Sequence, residues 1–147
     1  MSIANRSVNA QIAMQGYRVE SRSGMTFSIL VVEDEDDVRE LVSSSLRNRG
    51  FSVLSVPNAE VALQILMEQV KFDLLFTDIV MPGIMDGFEL ADRAKRLQPG
   101  LKVIYATGFS HVSRRSADQL HGKLIHKPYR PDEIASEIRT ALEPRSA

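Results

Sequence analysis

The run Phe27-Ser28-Ile29-Leu30-Val31-Val32 stops abruptly on four acids, Glu33-Asp34-Glu35-Asp36. A stretch that is apolar without alternation suits a strand covered on both faces, and strands of that kind belong to parallel sheets with helices on either side. Four further short stretches, at 52–56, 72–77, 102–106 and 122–126, are expected to be strands. The third ends on a lone carboxylate, Asp78.

Helical periods separate these runs. Val38, Leu41, Val42, Ser45 and Leu46 form one stripe, and the stretch from Asn48 to Gly50 ends it, glycine being suited to a left-handed stop. Pro57-Asn58 turns the chain, and Asn58 is placed to cap a second helix with Ala59, Ala62, Leu63, Leu66 and Val70 inward. A loop with Pro82, Gly83 and Gly87 leads to a third helix that buries Leu90, Ala91, Ala94 and Leu97 and stops at Pro99-Gly100. The segment 110–120 is expected to be a short or loosely held helix, because only Val112, Ala117 and Leu120 face inward against Arg114, Arg115 and Asp118. Pro131 with Asp132 and Glu133 opens the last helix, whose buried stripe is Ile134, Ile138, Ala141 and Leu142. Five strands alternating with five helices predict an α/β fold with a doubly wound parallel sheet. In such sheets ligands bind at the carboxyl ends of the strands. That edge collects Glu33 and Asp34 after the first strand, Asp78 after the third, Thr107 after the fourth and Lys127 after the fifth. Residues 1–25, rich in Ser, Asn, Gln and Arg, show no sustained period and are expected to form a flexible arm that adds nothing to the core; Met25 is an alternative start. The domain is expected over 26–143, with 144–147 a short tail.

Carboxylates gathered at one pole repel, and a fold keeps them only with a positive charge among them, a hard cation or a lysine. An all-oxygen set suits Mg2+, and with no cysteine and no pair of histidines at ligand spacing, zinc has no site. Mg2+ recruits phosphate, and an aspartate beside it can act as a nucleophile towards phosphorus. Lys127 offers a mobile positive charge and Thr107 a hydroxyl donor for a phosphoryl group. The net charge of −1 supplies no field for nucleic acid or an anionic membrane. No apolar stretch is long enough to span a bilayer, and Asn5, Arg6, Asn9 and Gln11 interrupt any signal-peptide core, so a cytoplasmic location is expected.

Ile29-Leu30-Val31-Val32-Glu33-Asp34-Glu35, Leu75-Phe76-Thr77-Asp78-Ile79-Val80-Met81-Pro82-Gly83, Asp86-Gly87, Ala106-Thr107-Gly108 and Lys127-Pro128-Tyr129 together resemble the receiver domain of bacterial two-component response regulators. The resemblance covers about residues 26–143. It implies a flavodoxin-like (βα)5 fold with strand order 2-1-3-4-5. It also implies that Asp78 accepts a phosphoryl group from a histidine kinase or phosphotransfer protein. Glu33 and Asp34 would hold Mg2+ with Asp78 and the backbone carbonyl of Val80. Thr107 would swing towards the phosphoryl group, Lys127 would pair with it, and the Lys127–Pro128 bond would be cis. The face made by the 110–120 segment, the fifth strand and the last helix would contact a downstream protein, Arg114 and Arg115 included.

Several positions depart from the family's commonest pattern. The acidic pair is Glu33-Asp34 rather than two aspartates, with Glu33 reaching the metal directly or through water. The loop from Met81 to Gly87 is one residue longer, as in receivers related to hybrid kinases. Leu124 stands where the switch aromatic of the fifth strand is expected, leaving Tyr105 or Tyr129 to substitute. Val80 and Phe109 flank the phosphoryl site and offer no group to orient water, which predicts a long-lived phosphorylated state.

The function expected is a single-domain phosphoacceptor that signals by altered protein binding or by onward relay. An aspartyl-nucleophile phosphatase needs a second carboxylate two residues after the nucleophile, where this chain has Val80, and a cap that 147 residues do not provide. A receiver-like module that binds partners independently of phosphate is the other alternative. Glu35, Asp36 and Asp37 are expected to open a helix, Asp86 to cap one, and His111, His121 and His126 to serve packing or surface roles.

Overall fold

The computed structural model describes Met14, residues 26–108 and residues 119–143. Within these, five strands and four helices alternate: β1 (Ser28–Val32), α1 (Asp36–Asn48), β2 (Ser52–Val56), α2 (Ala59–Met67), β3 (Leu74–Asp78), α3 (Gly87–Leu97), β4 (Lys102–Thr107), β5 (Gly122–His126) and α4 (Pro131–Leu142). The expected helix at 110–120, together with Phe109, His111, Arg114 and Arg115, lies outside the described residues except at Gln119 and Leu120. So do the tail at 144–147 and, Met14 apart, the arm at 1–25.

All strand pairs are parallel and the order is β2-β1-β3-β4-β5, as the resemblance implied. Successive residues of a strand point to opposite faces, and each face has its own core. Leu30, Val32, Leu54, Val56, Leu75, Val103 and Tyr105 pack with α2 and α3. Ile29, Val31, Val53, Leu74, Phe76, Ile104 and Ala106 pack with α1 and α4. Met14 is partly buried against the first of these cores, so the expectation that the arm adds nothing fails at that position.

The caps read from the sequence are in place. Asn58 accepts a hydrogen bond from Val61 N–H at 2.8 Å, and Asp86 accepts one from Glu89 N–H at 2.9 Å. Gly50 stops α1 with φ +96°. Two stripe residues face solvent instead of the core. Leu41 is 57% exposed because α1 turns Val42, Ser43 and Leu46 inward, and Leu41 sits about 100° away round the helix. Leu97 is 43% exposed because the end of α3 directs Gln98 into the fold, where its amide accepts from Phe72 N–H and donates to the Val70 carbonyl.

Candidate functional site

The switch point of the sheet, between β1 and β3, carries the acids. Glu33 follows β1 and continues the ladder by donating its N–H to the Val56 carbonyl at 3.1 Å. Its side chain is buried, with Oε2 accepting from Glu35 N–H at 3.0 Å. Arg39 of α1 donates to the Glu33 carbonyl at 2.9 Å, which fixes the first turn of that helix against the acids. Asp78 is the buried last residue of β3. One carboxylate oxygen each from Glu33, Asp34 and Asp78 lie within 4.8 Å of one another. Across from them the Lys127 N–H donates to the Thr107 carbonyl at 2.8 Å, extending the β4–β5 ladder one step. That step delivers the Lys127 ammonium to the acids, 2.8 Å from Asp78 Oδ1 and 3.3 Å from Glu33 Oε1. The Lys127–Pro128 bond is cis.

Burial pushes the Asp78 carboxyl up to about 8; the Lys127 hydrogen bond opposes the rise and the Glu33 charge adds to it. Burial acts to lower Lys127, but its bond to Asp78 and the charges of Asp78 and Glu33 outweigh this and hold its pKa above the ordinary lysine value. A raised acid pKa means the folded chain holds a proton that the unfolded chain has released, so Asp78 costs stability progressively as pH rises from about 4 to about 8. Asp78→Asn is therefore expected to raise the melting temperature in EDTA at pH 7, and the gain should disappear near pH 4. A thermal melt series over pH checks this; an unchanged or lowered melting temperature at pH 7 would contradict it.

Thr107, buried at the end of β4, donates its hydroxyl to the Gly108 carbonyl at 2.8 Å. Val80 lies on the loop beyond Asp78 and is 53% exposed. Leu124 pairs in register with Tyr105 of β4. The Tyr105 ring packs 5.5 Å from Phe88, and its hydroxyl accepts from His121 N–H at 3.2 Å. The Tyr129 ring meets Phe76 edge-on at 5.8 Å, and its buried hydroxyl has no hydrogen-bond partner among the described residues. Burial first, then the charges of Glu33, Asp78 and Glu35, push that phenol above its ordinary value. Of the histidines, His121 bonds Asp92 of α3 at 2.8 Å and His126 is exposed at the end of β5, in keeping with packing and surface roles.

Two further residues shape the site, Gly87 of the Asp86-Gly87 motif and Glu60, which had no sequence signal of its own. Gly87 opens α3 against β3: a Cβ there would stand 2.0 Å from the Asp78 carbonyl oxygen, and its N–H bonds the Ile79 carbonyl at 2.8 Å. Glu60 of α2 reaches across to the loop after Asp78.

The family model for the response regulator receiver domain matches residues 29–139. The chain belongs to this family. Receiver domains are phosphoacceptor modules of two-component signalling that take phosphoryl groups from histidine kinases or phosphotransfer proteins and bind Mg2+ at an acidic pocket. Among relatives, the response regulator receiver protein CpdR of Brucella abortus is 38% identical over 116 residues, covering 78% of this chain and 95% of CpdR. The receiver domain of the hybrid histidine kinase CckA superposes with a TM-score of 0.67 at 31% identity, over 79% of this chain and 99% of that one. The response regulator TrrA of Thermotoga maritima, solved in complex with Mg2+-BeF, superposes with a TM-score of 0.69 at 31% identity, over 80% of this chain and all of its own. No helix among the described residues of this receiver is long and apolar enough to cross a membrane.

Proposed function

We propose that this receiver is a single-domain response regulator of the cytoplasm that accepts a phosphoryl group on Asp78 in a Mg2+-dependent reaction. The donor is a histidine kinase or a histidine phosphotransfer protein. The observation that carries the reading is the convergence of Glu33, Asp34 and Asp78 within 4.8 Å beside the Lys127 ammonium, at the carboxyl edge of the sheet. The donor set fits Mg2+: three hard oxygens on short tethers leave positions for water and substrate. Glu33, Asp34, Asp78 and the Val80 carbonyl would hold the cation, which when bound neutralises charge on the transferring group.

Each residue then has a defined task. An Asp78 carboxylate oxygen forms the bond to phosphorus as the donor's histidine–phosphorus bond breaks. Lys127 is already the partner of Asp78 and only partly exposed, so it can turn to the phosphoryl oxygens of the acyl phosphate and balance their charge. Thr107 must release the Gly108 carbonyl before it can donate to a phosphoryl oxygen, and that exchange is a local switch. Output then passes to a partner protein or onward by relay, with no direct contact to nucleic acid. The near-complete coverage of CpdR supports the single-domain reading.

Incubation with acetyl phosphate and Mg2+ should add one phosphoryl mass, and EDTA should suppress it; equal gain with EDTA would sink the Mg2+-dependent reading. The phosphorylated form is expected to last minutes or longer, because the flanking Val80 is apolar and offers no group to orient water. Phosphate release followed after rapid desalting tests this, and loss of the label within seconds in Mg2+ would refute it.

A further inference from the structure

The loop between β3 and α3 is tied at two places. At its neck, Gly87 N–H bonds the Ile79 carbonyl at 2.8 Å. At its crest, Glu60 Oε2 accepts both Ile84 N–H and Met85 N–H, each at 3.1 Å. Gly83 completes the crest: its φ is +113°, and a Cβ there would lie 3.0 Å from both Glu60 carboxylate oxygens. Ile84 itself is 98% exposed, so no burial of its side chain holds the crest down; Met81 and Met85 on either side are buried. The neck bond alone leaves the residues between Ile79 and Gly87 free to choose among several backbone paths. An anionic acceptor for two successive amides selects one path, because bonds to a charged group are about twice as strong as neutral ones. Val80 lies on that path, one residue past the neck.

We propose that Glu60 is a positioning residue for the phosphoacceptor edge: by holding the amides of Ile84 and Met85 it fixes the backbone of 80–86, and with it the Val80 carbonyl, in the orientation a cation at Asp78 uses. This rests on the Mg2+-dependent reading above. Glu60 never touches the cation or the phosphoryl group; it acts from α2, through the loop. Both amides donate to the same oxygen, so a glutamine, whose amide oxygen occupies an equivalent place, keeps both bonds, while alanine loses both.

The test has a metal-free arm and a metal arm, on wild type, Glu60→Gln, Glu60→Ala and Gly83→Ala. In EDTA, amide hydrogen exchange of Ile84 and Met85 should accelerate in Glu60→Ala and in Gly83→Ala, whose added methyl displaces the carboxylate, and stay near wild type in Glu60→Gln. In calorimetric Mg2+ titrations, Glu60→Ala should weaken binding about tenfold, the low end for an outer-sphere partner. Glu60→Gln should stay within about threefold of wild type, as neutral acceptors keep roughly half the strength of charged ones. A lowered melting temperature with unchanged Mg2+ affinity would overturn the proposal and leave Glu60 a purely structural residue. Unchanged exchange at Ile84 and Met85 in Glu60→Ala would overturn it at the loop. If wild type itself binds no Mg2+, the reading beneath it fails and the proposal with it, and the exchange arm still separates that failure from a loop that Glu60 does not hold.

Discussion

Gly87→Ala is expected to damage the receiver more than any other single methyl group added near the site. The new Cβ would stand 2.0 Å from the Asp78 carbonyl oxygen and 2.8 Å from the Ile79 Cα, and both are backbone atoms in or beside a central strand. Neither can turn aside as a side chain would. Relief requires α3 to lift away from β3, which breaks the Gly87–Ile79 bond and loosens Phe88, Leu90 and Ala91 in the core. Overpacking of this kind costs about 1–3 kcal/mol, and a clash with fixed backbone belongs at or above the upper end. Urea unfolding should show the lowered midpoint, and the variant should take up phosphoryl groups more slowly because Asp78 moves with its carbonyl. A midpoint equal to wild type would mean that α3 does not press on Asp78.

Lys127→Ala is the second large effect. The lysine is the only positive side chain seen bonded to the carboxylate of Asp78 or Glu33 among the described residues, at 2.8 and 3.3 Å. Without it, the buried Glu33 carboxylate loses its ammonium partner, and Asp78, already pushed up to about 8 by burial, loses the bond that opposes the rise. Removing one partner of a fully buried pair costs 3–5 kcal/mol; with the Lys127 side chain 30% exposed, about 2 kcal/mol is expected in EDTA at neutral pH. The loss should grow above about pH 8, where Asp78 ionises beside the lysine in wild type, and Mg2+ should restore much of it by supplying the missing charge. Denaturant titrations with and without Mg2+ on either side of pH 8 check this. Equal stability of Lys127→Ala and wild type in EDTA at pH 7 would show that the lysine does not neutralise the acids.

Much of this architecture was legible in the sequence, for a physical reason. Strands buried on both faces are apolar throughout, so β1 stands out where the composition changes, while the edge strands β2 and β5 were legible from their place between helical periods. The sheet edge was legible too, because carboxylates cannot hide in a core, and Glu33, Asp34, Asp78, Thr107 and Lys127 stand at the ends of strands that the fold brings together. The start of β3 was misread: Phe72 is apolar and buried, but its N–H goes to the Gln98 side chain instead of a neighbouring strand. Leu41 and Leu97 were misread because a stripe of apolar residues does not say which edge of the stripe meets the core. Glu60 was not legible as part of the site, and Gly87 was legible only through the Asp86-Gly87 motif. Glu60 meets its loop across 24 residues of chain, and the glycine's importance lies in an atom it lacks.

The central claim is that Asp78 is the phosphoacceptor. Wild type and Asp78→Asn, each incubated with acetyl phosphate and Mg2+, should be compared by intact mass and by peptide mapping after trapping of the acyl phosphate. The account predicts one added phosphoryl group in wild type, located on Asp78, and none in the variant. A phosphoryl group retained by Asp78→Asn, or none on wild type while Mg2+ is bound, would contradict it.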